Sequence, residues 1–231
     1  IKRKNQDIKF FELGKIYHKK SKYEERKQLA ILVSGRNTAE NWLQPKSATD
    51  FYYLKSYVKV LLDKLNLDIV EKPLEDSRFS DALELVSNSR TIARLGTVSP
   101  ELLKDADISQ ECFYAEIELE VCQNLRSKDN LKFLDIPKFN KIRRDLALLI
   151  DKNVSYADLY KAAKKNPSKY LKNINLFDVY EGKNLPENKK SYAMSFELLN
   201  EEKTLEEKDI TEVMNSLIKT FQKEFSAELR S

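Results

Sequence analysis

The sequence predicts an α+β chain of two domains, an antiparallel sheet with helices followed by a domain of βαββαβ order. Three patterns carry that prediction. Short runs of alternating apolar and polar residues fill 1–125, with one segment of helical period among them. The stretch 126–136, which includes Arg126-Ser127-Lys128-Asp129-Asn130, follows no period and reads as a linker. Residues 137–231 then run strand, helix, strand, strand, helix, strand, the order of a split βαβ unit.

Within 1–125, Ile8-Lys9-Phe10-Phe11-Glu12-Leu13 and Gln28-Leu29-Ala30-Ile31-Leu32-Val33-Ser34 alternate as antiparallel strands, with the charged stretch 19–27 as an exposed loop between them. Over 50–65, Leu54, Val58, Leu61, Leu62 and Leu65 recur at helical spacing, and Thr49 or Asp50 is placed to cap the first turn. Strand-like pieces follow at 82–86 and 91–98. Ser99-Pro100 pairs a cap with a proline at the first helical position, and 112–119 alternates again.

In the second domain, 146–150 is the first strand, 155–165 a helix capped by Ser155, and 171–180 the second strand. A loop over 181–191 leads to a third strand at 192–199. Thr204 with Glu207 reads as a capping box for a last helix whose apolar face is Ile210, Val213, Met214, Leu217, Phe221 and Phe225. Residues 227–230 supply a short final strand.

The composition is that of a globular chain, 41% hydrophobic and 34% charged, with both signs and a net charge of +4. No apolar run reaches the roughly 18 residues that a membrane span needs. The opening Ile1-Lys2-Arg3-Lys4-Asn5-Gln6 has neither an initiator methionine nor the apolar segment of a signal peptide, so the chain reads as a cytoplasmic fragment of something longer. Cys112 and Cys122, the only cysteines, belong to no metal-spaced cluster and read as buried reduced thiols. His18, the only histidine, reads as a solvated surface residue. With 4 glycines and neither phosphate-cradling fingerprint, no catalytic constellation is expected.

The charge is uneven. Residues 137–191 hold 13 Lys/Arg against 6 Asp/Glu, whereas 192–231 hold 5 against 9. Cations interleaved with aromatics on a sheet suit single-stranded RNA, whose phosphates attract lysine and arginine and whose bases stack on rings. Arg143-Arg144-Asp145 fits that role or, equally, an internally neutralised cluster in which Asp145 orients an arginine. Strand alternation puts Phe177 and Val179 on one face and Asp178 and Tyr180 on the other, so Phe177 reads as core and Tyr180 with Asp178 as nearer a binding surface. Lys183, Lys189 and Lys190 are either phosphate contacts or ordinary solvated lysines, while Lys161, Lys164, Lys165 and Lys169 read as a solubilising helix face. In the first domain Trp42, Phe51, Tyr52, Tyr53 and Tyr57 are aromatic enough for an interface, with about half of them expected in the core.

Phe139, Arg143-Arg144-Asp145-Leu146-Ala147, Leu176-Phe177-Asp178-Val179-Tyr180-Glu181-Gly182, Lys190-Ser191, Thr204-Leu205-Glu206-Glu207 and Ala227-Glu228-Leu229-Arg230 stand in an order and spacing that resembles the ferredoxin-like anticodon-binding domain closing the beta subunit of bacterial phenylalanyl-tRNA synthetases. Asn140 and Pro137 depart from it, where the family usually has proline and serine. Phe11-Glu12-Leu13-Gly14-Lys15-Ile16-Tyr17, Ser34-Gly35 with Trp42, Asp50-Phe51-Tyr52-Tyr53-Leu54-Lys55 and Leu95-Gly96-Thr97-Val98-Ser99-Pro100-Glu101-Leu102 resemble the catalytic-like domain of the same subunit. There Phe79-Ser80-Asp81-Ala82 replaces the family's His-Pro-Gly, and Ser99 stands where histidine is usual.

The resemblance implies a partial class II synthetase catalytic-like antiparallel sheet without catalytic motifs, then a ferredoxin-like domain. It implies RNA contacts from Lys138, Phe139, Lys141, Arg143, Arg144, Asp178, Tyr180, Lys183, Lys190 and Ser191, and a subunit interface at Trp42, Phe51, Tyr52 and Tyr53. The implied partners are phenylalanine tRNA and the catalytic alpha subunit in an (αβ)2 heterotetramer, with no membrane and no DNA. No cofactor is expected on this chain, since ATP and magnesium are handled chiefly by the alpha subunit of an enzyme that joins phenylalanine to its tRNA. Two other classes stay open: a structural subunit-interaction module with only non-specific RNA binding, and a regulatory domain for a small molecule such as phenylalanine.

Overall fold

A computed structural model describes residues 5–19, 23–43, 47–126 and 137–230. The chain divides into two compact units, Ile1–Leu131 and Lys132–Ser231. From residue 127 onward, the expected linker lies outside the described residues. No described helix is long and apolar enough to cross a membrane.

Among its described residues, the first unit is a six-stranded antiparallel sheet with three helices. Its strands are β1 (Ile8–Lys19), β2 (Tyr23–Ser34), β3 (Val70–Pro73), β4 (Phe79–Ser87), β5 (Arg90–Val98) and β6 (Cys112–Glu118), in the spatial order β1-β2-β6-β5-β4-β3. Its helices are α1 (Phe51–Asp63), α2 (Pro100–Asp105) and α3 (Leu119–Leu125). Alternation sends Ile31, Val33, Ala93, Leu95, Phe113, Ala115 and Ile117 to one face, where Leu54, Val58 and Leu62 of α1 close the core. The Asp50 carboxylate accepts the Tyr53 backbone N–H at 2.7 Å and fixes the start of α1. Asn88 and Ser89, both with positive φ, join β4 to β5 through the two-residue turn whose twist suits a hairpin. Both cysteines are buried and unbridged, and burial pushes the Cys122 thiol up to about 11, so it stays protonated.

Several expectations for this unit need correction. The hairpin strands run on through the charged stretch to Lys19 and from Tyr23, because an exposed two-stranded ribbon buries neither face along 15–19 and 23–27 and shows no apolar period. Ion pairs Lys15–Glu25 and Arg26–Glu24 line that extension, and His18 is exposed opposite Glu24. Strand β3 is exposed along its whole length and therefore carries no apolar signal. Helix α3 takes up the end of the expected strand and the residues between it and the expected linker, with Cys122 fully buried. Leu61 is partly exposed on the rim of α1.

On the sheet face away from α1, Glu116 sits only 7% exposed beneath two arginines. Arg78 donates to Glu116 at 2.9 and 3.1 Å and to Asp76 at 2.7 Å, while Arg94 reaches Glu116 at 3.4 Å. A carboxylate this buried needs such pairing, since an unpaired charge taken out of water is costly.

The second unit is a two-layer split βαβ fold. It contains β7 (Ile142–Asp151), α4 (Tyr156–Lys164), β8 (Leu171–Tyr180), β9 (Lys189–Leu198), α5 (Glu207–Phe225) and β10 (Glu228–Leu229), in the sheet order β10-β7-β9-β8. Leu148, Ile150, Ile174, Tyr192, Met194, Phe196 and Leu198 point to the helices, where Leu159, Ala162, Ala163, Leu217 and Phe221 meet them. Ser155 and Asp158 form the reciprocal cap of α4. The cap of α5 falls two residues later than expected: Leu205 is drawn into the core, Thr204 stays outside, and Asp209 accepts the Glu206 backbone N–H at 3.3 Å. Strand β7 starts at Ile142, so Arg143, Arg144 and Asp145 are strand residues. Strand β9 starts at Lys189, so Lys190 and Ser191 belong to its ladder and not to the preceding loop.

Arg78 holds the Asp76 carboxyl at about 2, below its ordinary 3.8. A depressed folded-state value stabilises above the unfolded value and is lost as pH falls. Stability of the first unit should therefore drop as pH goes from about 4 toward 2, and Asp76→Asn should flatten that portion of the curve. Amide exchange along β5 at successive pH values would show it.

Candidate nucleic-acid interface

Helices cover one face of the second sheet and, among the described residues of this unit, leave the other without a helical layer. Alternation aims Arg143, Asp145, Ala147 and Leu149 of β7 and Ser191, Ala193, Ser195 and Glu197 of β9 at that open face. Its centre is a shallow floor of small residues. From β8, Asp178 stands opposite Ala193 and Tyr180 opposite Ser191, as their spacing predicts.

Phe177 joins them, against the expectation that it lies in the core. A β-bulge between Leu176 and Asp178 inserts one extra residue, so the face pattern re-phases there and Phe177 is left on the open side, 48% exposed. The Arg143 guanidinium lies 5.1 Å from its ring centroid. Val179 does point back toward the helix side, yet it is half exposed rather than core.

Two arginine–aromatic pairs flank the floor. Arg143 is held by Asp145 at 2.8 and 3.2 Å, which keeps the guanidinium firmly protonated and its plane fixed beside Phe177. Arg230, just past β10, places its guanidinium 5.2 Å from the Tyr180 ring centroid. Gly182 lies against the same tyrosine, since a Cβ there would stand 2.5 Å from the phenolic oxygen. Neither Arg230 nor Gly182 was singled out as a contact from sequence. Their association with Tyr180 depends on reach across the sheet and on a loop folding back, and neither leaves a local pattern.

Other candidates fall elsewhere. Arg144 faces the helix side and donates to Glu207 in the first turn of α5 at 3.0 and 3.2 Å, so the two adjacent arginines cannot serve one flat ligand. Lys190 is only 7% exposed on that same side, its ammonium 4.7 Å from the Tyr192 ring centroid. Lys141 pairs with Glu197 at 3.3 Å and Lys189 with Asp151 at 3.0 Å. Lys138 and Lys183 are exposed, Phe139 is half-buried, and Ser191 is a buried part of the floor.

In the first unit the aromatic set divides. Trp42 is 93% exposed and Tyr52 74%, whereas Phe51 and Tyr53 pack against the core, Tyr53 with its hydroxyl 2.8 Å from that of Tyr57. Phe10, Phe11 and Leu13 on β1 add exposed apolar area. Among the described residues no group of His, Cys, Asp and Glu is placed to hold a metal ion.

Comparison with known proteins gives two family matches. Residues 1–119 match the phenylalanyl tRNA synthetase beta chain CLM domain, and residues 137–230 match the ferredoxin-fold anticodon binding domain. The phenylalanine–tRNA ligase beta subunit of Bacteroides thetaiotaomicron is 38% identical over 99% of the chain, and that of Bacillus subtilis is 32% identical over 100%. The chain spans 30% and 29% of those relatives' length. Among solved structures, the pyrrolysyl-tRNA synthetase of Desulfitobacterium hafniense aligns with 54% of this chain and 44% of its own, at 14% identity and a TM-score of 0.40.

Gly182→Ala should tilt the Tyr180 ring away from Arg230 while leaving the melting temperature nearly unchanged, because the clash falls on the far end of a half-exposed side chain. Aromatic proton shifts of Tyr180, compared with those of Tyr192 as an internal control, would report the movement.

Proposed function

The chain belongs to the phenylalanyl-tRNA synthetase beta-chain family, and we propose that its second unit binds the anticodon region of phenylalanine tRNA while its first unit holds the catalytic alpha subunit. The observation that carries the first half is the open sheet face, where Phe177, Tyr180, Arg143 and Arg230 surround a floor of alanine and serine. A small-residue floor lets bases approach the sheet, rings accept their faces, and oriented guanidinium groups donate to base edges or phosphates. Asp178 and Ser191 add polar groups at the same level. The family that matches residues 137–230 is a ferredoxin-fold anticodon binding domain, which supports this reading.

In this reading the chain contributes no catalytic side chain. ATP and magnesium are handled chiefly by the alpha subunit of an (αβ)2 heterotetramer in the cytoplasm, and this chain supplies scaffold and RNA recognition. A titration with phenylalanine tRNA, an anticodon-mutated form and an unrelated tRNA at several salt concentrations tests it. Preference for the cognate anticodon that survives rising salt supports base readout by this face, and three curves that fade together refute it.

Tyr180→Ala should cost about 1–3 kcal/mol of binding, the usual worth of one base stacked on one ring, and should reduce anticodon preference. Arg143→Ala should weaken binding as well. Arg144→Ala, on the other side of the sheet, should leave RNA affinity close to that of the parent chain.

A second reading, a subunit-interaction module, is favoured for the first unit by the exposure of Trp42 and Tyr52. Aromatics of this size anchor interfaces when they find a pocket. Trp42→Ala combined with Tyr52→Ala in the full-length beta subunit should shift assembly with the alpha subunit toward free chains in sedimentation velocity. Unchanged assembly would remove this surface from the contact.

A further inference from the structure

The basic surplus of the second unit does not lie on its open sheet face. There Lys141, Arg143 and Lys189 are each matched by a carboxylate within 3.3 Å, so that face, Arg230 apart, is close to charge balance and suited to orienting a ligand. The surplus sits on the helix side of the unit. Between residues 152 and 172 the sequence has six lysines and one carboxylate, Asp158, and that carboxylate is occupied in capping Ser155. Lys172 pairs with Glu201 at 2.6 Å. Among the described residues, Lys161, Lys164, Lys165 and Lys169 form no ion pair, and all four are exposed.

Their geometry is fixed by the core. Leu159, Ala162 and Ala163 turn one side of α4 into the sheet, which sends Lys161, Lys164 and Lys165 outward and away from the open face, and Lys169 is exposed in the turn that follows. Aromatic rings lie among them: the Lys164 ammonium is 5.7 Å from the Tyr160 ring centroid and that of Lys169 is 5.4 Å from Tyr170. Helix-dipole compensation does not absorb this charge. A helix C-terminus is equivalent to roughly half a negative charge, against four ammonium groups.

We propose that the outer face of α4 and the turn after it form a sequence-independent capture surface for RNA phosphates, distinct from the sheet face that reads bases. This rests on the reading that the second unit binds tRNA. Unmatched cations set association rates and salt dependence, whereas balanced, fixed cations set register. The unit thus separates attraction from readout, on opposite sides of one sheet.

The test replaces Lys161, Lys164, Lys165 and Lys169 together with glutamine in the whole chain. Binding of cognate, anticodon-mutated and unrelated tRNA is then followed across salt, beside the parent and Tyr180→Ala. Glutamine keeps helix propensity, and the single charge reversal Lys165→Glu at the helix end serves as a second variant. The expected result is a shallower dependence of log K on log salt, by about two to four for four lost phosphate contacts, equal for all three RNAs, with slower association. An unchanged slope in both lysine variants overturns the capture surface. If Tyr180→Ala still loses anticodon preference in that case, the sheet reading stands. A shallower slope in the lysine variants with full preference in Tyr180→Ala supports the capture surface and removes the sheet reading instead.

Discussion

Phe196 on the central strand β9 meets Phe221 of α5 with ring centroids 6.2 Å apart, and the rest of the second unit is organised by that seating. Both rings are fully buried, so strand and helix cannot slide without exposing a large apolar surface. Once Phe196 points to the helix, the two-residue period of a strand commits every odd-numbered side chain of β9 to the opposite face. Register with β7 then aligns Asp145 with Ser195 and Arg143 with Glu197. The balance of charge on the open face is therefore a consequence of core packing.

The same logic operates in the first unit, with a different outcome. There α1 covers one face, and the other carries a carboxylate buried beneath Arg78 and Arg94. A paired buried charge contributes little net stability compared with an apolar replacement, but losing one partner is costly. That network ties β4, β5 and β6 together at one level of the sheet. It holds a polar face rigid where a helical layer would otherwise do so.

Much of this fold was legible in the sequence because cores leave periodic traces. The helical spacing of Leu54, Val58 and Leu62, the serine cap at Ser155 and the apolar stripe of α5 all emerge as the elements they predict. Elements that bury little were not legible: β3 is entirely exposed, and the outer part of the β1–β2 ribbon is held by ion pairs and backbone ladders. At the candidate interface, Tyr180 and Asp178 follow the strand period, but Phe177 escapes it through a bulge that a linear pattern does not announce. Arg143 and Arg144 look equivalent side by side and lie on opposite faces once the strand is known to begin at Ile142. The basic surplus of 137–191 was visible as a sum, while its location on α4 required the ion pairs to be known.

Strand β10 is two residues long and pairs only with β7, and Arg230 follows it with a backbone N–H donated to the Ala147 carbonyl at 2.9 Å. So short a ladder opens locally at far less than the free energy of global unfolding. Each opening takes the guanidinium off the Tyr180 ring without disturbing Phe196 or Phe221. One wall of the sheet face is thus hinged on a segment that frays by itself, while the opposite wall, Arg143 with Phe177, is built on two full-length strands. The groove between them has a fixed jaw and a movable one.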